Sequence, residues 1–166
     1  MGYEFDAHVA VAAEGEGRYR ADLAPGWVIG AGVNGGYQLA VIGNAIGAAL
    51  PEKPDPIAMS AYFLSPGAPG PAHVEVDVRR DGRTVSTVAA DLVQGGDTRI
   101  AVLATYGDLG SRDGEVATTA PEIELPPVEE CVPNSLAPPE FRSGAPLLDR
   151  IDVRFHPDQV GWAVGK

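Results

Sequence analysis

Hydrophobic and polar residues alternate along most of the first hundred positions, and one long run breaks the alternation. From Gln38 to Leu50 the only polar side chains are Gln38 and Asn44. Leu39, Ile42 and Ile46 fall on one side at helical spacing, and Tyr37, Val41, Ala45 and Ala48 on another. A helix apolar on nearly every side must be buried on nearly every side. Its length would be roughly 20 Å, about that of the strands that would wrap it. Gly43 and Gly47 weaken it as an isolated helix, and close approach of a sheet would offset that. Gly32-Val33-Asn34-Gly35-Gly36-Tyr37 opens the run, placing free backbone N–H groups where glycine lets another molecule come near.

The flanking pattern predicts strands. Phe5 to Ala13 reads as one, Glu14-Gly15-Glu16-Gly17 as a turn and Arg18 to Leu23 as the return strand. Ile57 to Leu64 is apolar enough for an interior strand. His73 to Val78 alternates, with valines on one face and His73, Glu75 and Asp77 on the other. Asp81-Gly82 and Gly95-Gly96-Asp97 are hairpin turns around strands at Thr84 to Gln94 and Arg99 to Tyr106. Two strands, one long helix and four antiparallel strands make an α+β protein, an antiparallel sheet wrapped around a central helix. From 110 to 146 proline and glycine dominate, which predicts a linker or surface strap. Alternation resumes at Ile151-Asp152-Val153-Arg154-Phe155 and continues to Trp162. That divides the chain into a domain over 1–109, a linker over 110–146 and the opening strand of a second unit over 147–166.

Charge and composition narrow the partners. Twelve basic against twenty-three acidic residues give a formal charge of −11, which argues against nucleic acid and anionic membrane. A phosphorylated ligand needs only a few local cations, and Arg79, Arg80 and Arg83 offer them unless they form a solvated hairpin tip. The single cysteine, Cys131, excludes an internal disulfide and suggests a reducing, cytoplasmic setting. His8, His73 and His156 share no metal-ligand spacing, so no metal and no cofactor are expected. Gly30-Ala31-Gly32-Val33-Asn34-Gly35 matches a dinucleotide fingerprint. The next strand, however, lacks the terminal acid and no β–α alternation follows.

An ordered set of short motifs carries a resemblance: Trp27, Asn34-Gly35-Gly36-Tyr37, Ala61-Tyr62-Phe63-Leu64-Ser65-Pro66, Asp81-Gly82-Arg83 and Val93-Gln94-Gly95-Gly96. Phe5 to Asp108 resembles the N-terminal half of the double-hotdog, type II (TesB-like) acyl-CoA thioesterases, and Arg150 to Lys166 the first strand of the second hotdog. The resemblance implies a hotdog fold, an acyl-CoA substrate and a homo-oligomer or pairing with a second repeat. It also implies that the catalytic carboxylate and hydroxyl come from that second repeat, together with a glutamine.

Thioester hydrolysis needs a polarised carbonyl and an activated water. Backbone N–H groups at Gly35 or Gly36 suit a developing oxyanion, or the pair only permits a tight turn. Asn34 either takes part in catalysis or caps the helix. Gln94 either holds a water or the thioester oxygen, or faces solvent at a strand end. With Asn34, Gly36 and Gln94 as the catalytic candidates, Gly35, Tyr37, Ser60 and Tyr62 are the substrate-contacting ones. The helix carries no Asp or Glu, which keeps a non-catalytic acyl-CoA binder or assembly module in view, and behind it a hotdog hydratase or dehydratase.

Overall fold

Asn34 starts the long helix. Its side-chain oxygen accepts the Tyr37 N–H at 3.0 Å, supplying one of the acceptors that a first helical turn lacks. The computed structural model describes residues 2–111, 114 and 119–160. In chain order the first elements are α1 (Glu4–His8), β1 (Ala12–Gly15), β2 (Arg18–Leu23), β3 (Val28–Ile29), β4 (Gly32–Val33) and α2 (Gly35–Ala49). Then come β5 (Asp55–Phe63), β6 (Gly70–Asp81), β7 (Val85–Gln94), β8 (Asp97–Gly107), β9 (Val132–Pro133), α3 (Pro139–Ser143) and β10 (Arg154–Phe155).

Six strands form one antiparallel sheet in the order β1-β2-β6-β7-β8-β5. The chain leaves β2 near one edge, crosses the face as α2 and re-enters at the far edge as β5. Period-two alternation turns Tyr19, Val74, Val76, Val88, Leu92, Ile100, Val102 and Tyr106 toward α2, where they bury against Val41, Ile42, Ala45 and Ile46. Burial of the Tyr106 ring raises its phenol pKa, so it stays a neutral core residue. This is the α+β arrangement that the pattern predicts. The dinucleotide reading fails here, because Gly30-Ala31 is the turn of the antiparallel β3–β4 hairpin.

Three expectations change. Phe5 to Ala13 is not one strand: Glu4–His8 is helical and pairing begins at Ala12. Phe5 packs edge-on against Trp27 at 5.3 Å, and that contact overrides a weak local alternation. Ile57 to Leu64 forms the edge strand β5, not an interior one. Ile57, Tyr62, Phe63 and Leu64 stay exposed on it, Tyr62 at 68%. Third, α2 is covered on most sides but leaves Gly36, Asn44 and Ala48 exposed along one stripe. Gly43 and Gly47 meet only ordinary contacts, a Cβ at each lying 3.5 Å from Tyr106 Oη and 3.6 Å from the Pro54 carbonyl.

The described part of the proline-rich segment holds short regular pieces, β9 and α3 among them. From beyond that segment β10 pairs back antiparallel with β9. Leu147 enters the core of the sheet and helix, and the Gly30 N–H donates to the Gly144 carbonyl at 2.7 Å. The Arg150 guanidinium lies over the Trp27 ring and pairs with Glu4 at 3.1 Å. Trp162 lies outside the described residues.

Candidate functional site at the amide end of the long helix

Three elements meet at the start of α2: the β3–β4 hairpin, the end of β5 and the loop of residues 65–69 leading into β6. The Val33 N–H donates to the Gly67 carbonyl at 2.9 Å, and the Asn34 N–H to Trp27 O at 2.8 Å. Phe63 lies on the helix side of β5, its ring so close to Gly35 that a Cβ there would stand 2.6 Å from it. The ring is nevertheless 56% exposed. A side chain at 35 would have to displace this exposed ring, and the first turn has a half-buried, partly apolar mouth.

The backbone donors divide cleanly. Tyr37 N–H goes to Asn34 Oδ1 and Gln38 N–H to Asn34 O at 3.1 Å. Gly35 and Gly36 N–H have no acceptor among the described residues. They point from the positive end of a 15-residue helix, so this is where a developing negative charge would be stabilised.

The side chains proposed for this site from sequence are spread more widely. Asn34 is a helix cap. Tyr37 is 2% exposed, and its ring stacks on Trp27 at 5.2 Å. Its hydroxyl donates to His8 O at 2.8 Å and accepts the Ala24 N–H at 3.1 Å. Burial raises its pKa, opposed by the Ala24 N–H and helped by nearby Asp22, so it stays a neutral phenol. Ser60 and Tyr62 are exposed on the outer face of β5, while Met59 and Ala61 share the helix side.

Gln94 does not hang into solvent. Its Oε1 accepts the Ala68 N–H at 2.9 Å, and its Nε2 donates to Ala68 O at 2.8 Å and Pro71 O at 3.3 Å. Gln38, Phe63 and Arg99 belong to this end of the molecule and were absent from the sequence candidates. Gln38 was visible as an amide in an apolar run, and Phe63 as part of the Ala61–Pro66 motif. Arg99 gave no signal.

A profile of the acyl-CoA thioesterase N-terminal domain matches residues 23–107, which include the whole of this site. The chain belongs to the acyl-CoA thioesterase family. An uncharacterized protein of Mycobacterium tuberculosis is 32% identical to this thioesterase-family chain over 133 residues. That match covers 74% of the chain and 45% of the relative, so the chain spans about half the length of the curated relatives it matches. A solved protein of Thermobifida fusca YX, provisionally assigned as a thioesterase II, is 31% identical and superposes with a TM-score of 0.85. It covers 98% of this chain and 60% of its own. The acyl-CoA thioesterase II TesB2 of Mycobacterium marinum shares the fold at 16% identity and a TM-score of 0.62, over 79% and 48% of the two chains.

Among the described residues no helix of this thioesterase-family chain is long and apolar enough to cross a membrane. Nor do three or more His, Cys, Asp or Glu side chains there form a metal-binding group.

Proposed function

We propose that this chain is one hotdog of an acyl-CoA thioesterase and supplies the oxyanion-stabilising amides. The Gly35 and Gly36 N–H groups receive the thioester carbonyl oxygen. Water adds to the carbonyl carbon, the oxyanion is held by those amides, and collapse expels the CoA sulfur. The sulfur takes up a proton and leaves the free acid. The single observation behind this reading is the pair of unaccepted amides that opens α2, Gly35 lying against Phe63, in a chain of this family. The general base comes from a second repeat, since α2 has no Asp or Glu and both ends of the Gln94 amide are already engaged. The assignment of 147–166 to the start of that repeat, a cytoplasmic location and pairing with a second hotdog or second copy belong to this proposal. Support for pairing comes from β5, an unpaired edge carrying exposed Ile57, Tyr62, Phe63 and Leu64.

Release of free thiol from acyl-CoAs of graded chain length, by this chain joined to a second repeat that supplies the base, tests the proposal. The absence of an acid on α2 favours a second reading, a hotdog that binds acyl-CoA without cleaving it. Binding without thiol release across the panel selects that reading, and neither binding nor release removes both. Sedimentation as a stable monomer would contradict the pairing.

A further inference from the structure

The loop from Ser65 to Pro69 is held from two sides. On the helix side, Gly67 is buried against Gln38, its carbonyl accepts the Val33 N–H, and Pro66 packs on Gly32. A Cβ on Gly67 would collide with Gln38 Oε1. That oxygen is buried with no hydrogen-bond partner among the described residues, in a residue 3% exposed. A buried acceptor without a donor is costly, so the loop that packs on it draws its anchoring from elsewhere.

The sheet supplies that anchoring. The Gln94 amide meets the N–H and C=O of Ala68 as a neighbouring strand would, one donor against one acceptor at 2.8 and 2.9 Å. The Arg99 carbonyl accepts Leu64 N–H at 2.8 Å and Ser65 N–H at 3.3 Å. Its guanidinium donates to Ser65 Oγ at 3.0 Å and to the Gln94 carbonyl at 3.2 Å. We propose that Gln94 and Arg99 are positioning residues that act through this loop to fix the entry into α2, and with it the seat of the thioester carbonyl. The chemical consequence rests on the hydrolase reading above, while the mechanical coupling rests on the contacts alone. Only glutamine fits the clamp: glutamate lacks the donor, and asparagine is one methylene short of Ala68.

Amide hydrogen exchange on the unaltered chain and on Gln94→Asn and Arg99→Met tests the coupling. Val33 N–H keeps its own acceptor, Gly67 O, in both variants. It is expected to exchange at least about tenfold faster in each, while Ile42 N–H in the middle of α2 keeps its rate. Either variant suffices if the other does not fold. An unchanged Val33 rate, or Val33 and Ile42 accelerating together as the whole fold loosens, overturns the coupling. With acyl-CoA, kcat is expected to fall by about tenfold with KM within about threefold. An unchanged kcat in both variants overturns the chemical consequence. If the unaltered chain neither binds nor cleaves acyl-CoA, the hydrolase reading falls and the Val33 result still decides the coupling.

Discussion

The two ends of α2 are finished differently. At the C-terminal end the Leu50 N–H reaches both Ile46 and Gly47 carbonyls, and Lys53 N–H caps Leu50 O. Lys53 Nζ then reaches across to Asp81 at 2.6 Å, where Ser86 Oγ, at the same distance, completes the latch. At the N-terminal end Asn34 serves one amide, the Gly35 and Gly36 amides have no acceptor among the described residues, and the exposed Phe63 ring lies against Gly35. Gly36 is exposed and Gly35 half-buried, so water can serve both amides until a ligand replaces it. The contrast can be broken from either end.

The largest effect is expected from closing the open end. Proline at the first helical position keeps the turn and deletes one amide, and Asn34 already has the extended backbone that a following proline requires (φ −55°, ψ 132°). Gly35→Pro made together with Phe63→Leu, to clear the ring, should lower acyl-CoA turnover by about 10²–10³-fold relative to Phe63→Leu alone. Urea unfolding would show whether stability holds; equal turnover would mean that Gly35 is not an oxyanion donor.

Tyr37→Phe comes next. It strands the Ala24 N–H and His8 carbonyl in a buried setting, so chemical denaturation should show a loss of about 1–3 kcal/mol. Asn34→Ala should cost about 0.5–2 kcal/mol by removing the cap. Asn34→Ser, which keeps a capping oxygen, should recover most of that loss. Turnover recovering with the serine identifies Asn34 as a cap, whereas turnover still lost assigns it a chemical role.

The smallest effect is at the latched end. Hydrogen bonds from Lys53 and Ser86 hold the Asp81 carboxyl below its ordinary range. A depressed folded pKa contributes stability above the unfolded value of about 3.9, and that contribution is lost as pH falls through the folded value. Asp81→Asn should therefore flatten this part of the acid limb of the stability profile. The change should be slight, because Asp81 is well exposed and screened by solvent.

How much was readable in the chain follows the same division. The body of α2 and strands β6 to β8 were legible because each repeats one period over many residues, with glycine turns between them. α1 was not, since Phe5-Asp6-Ala7-His8-Val9 is too short to separate a period of 2 from 3.6, and the contact with Trp27 decides. β5 was misplaced because an unbroken apolar run looks the same in a sheet interior as on an edge. At the site, the glycine pair and the Asn34 cap are local features and could be read directly. The engagement of Gln94 could not, because Ala68 lies 26 residues away and the link depends on how a Pro-Gly loop closes. The outward direction of Ser60 and Tyr62 depended on strand register, which alternation in so apolar a run leaves open.

The stack of Arg150 on Trp27, with Glu4 on the guanidinium's flank and Gly26 so close that any Cβ would strike it, bears on how the protein can be shortened. A truncation after Gly107 would look harmless on a topology diagram, because every strand of the six-stranded sheet survives it. It would also withdraw Leu147 from its hydrophobic socket, bare one side of an indole and release the N-terminal helix from its counter-charge. A trimmed hotdog of that kind should aggregate more readily than the longer chain, and the remedy is to retain the segment through Arg150.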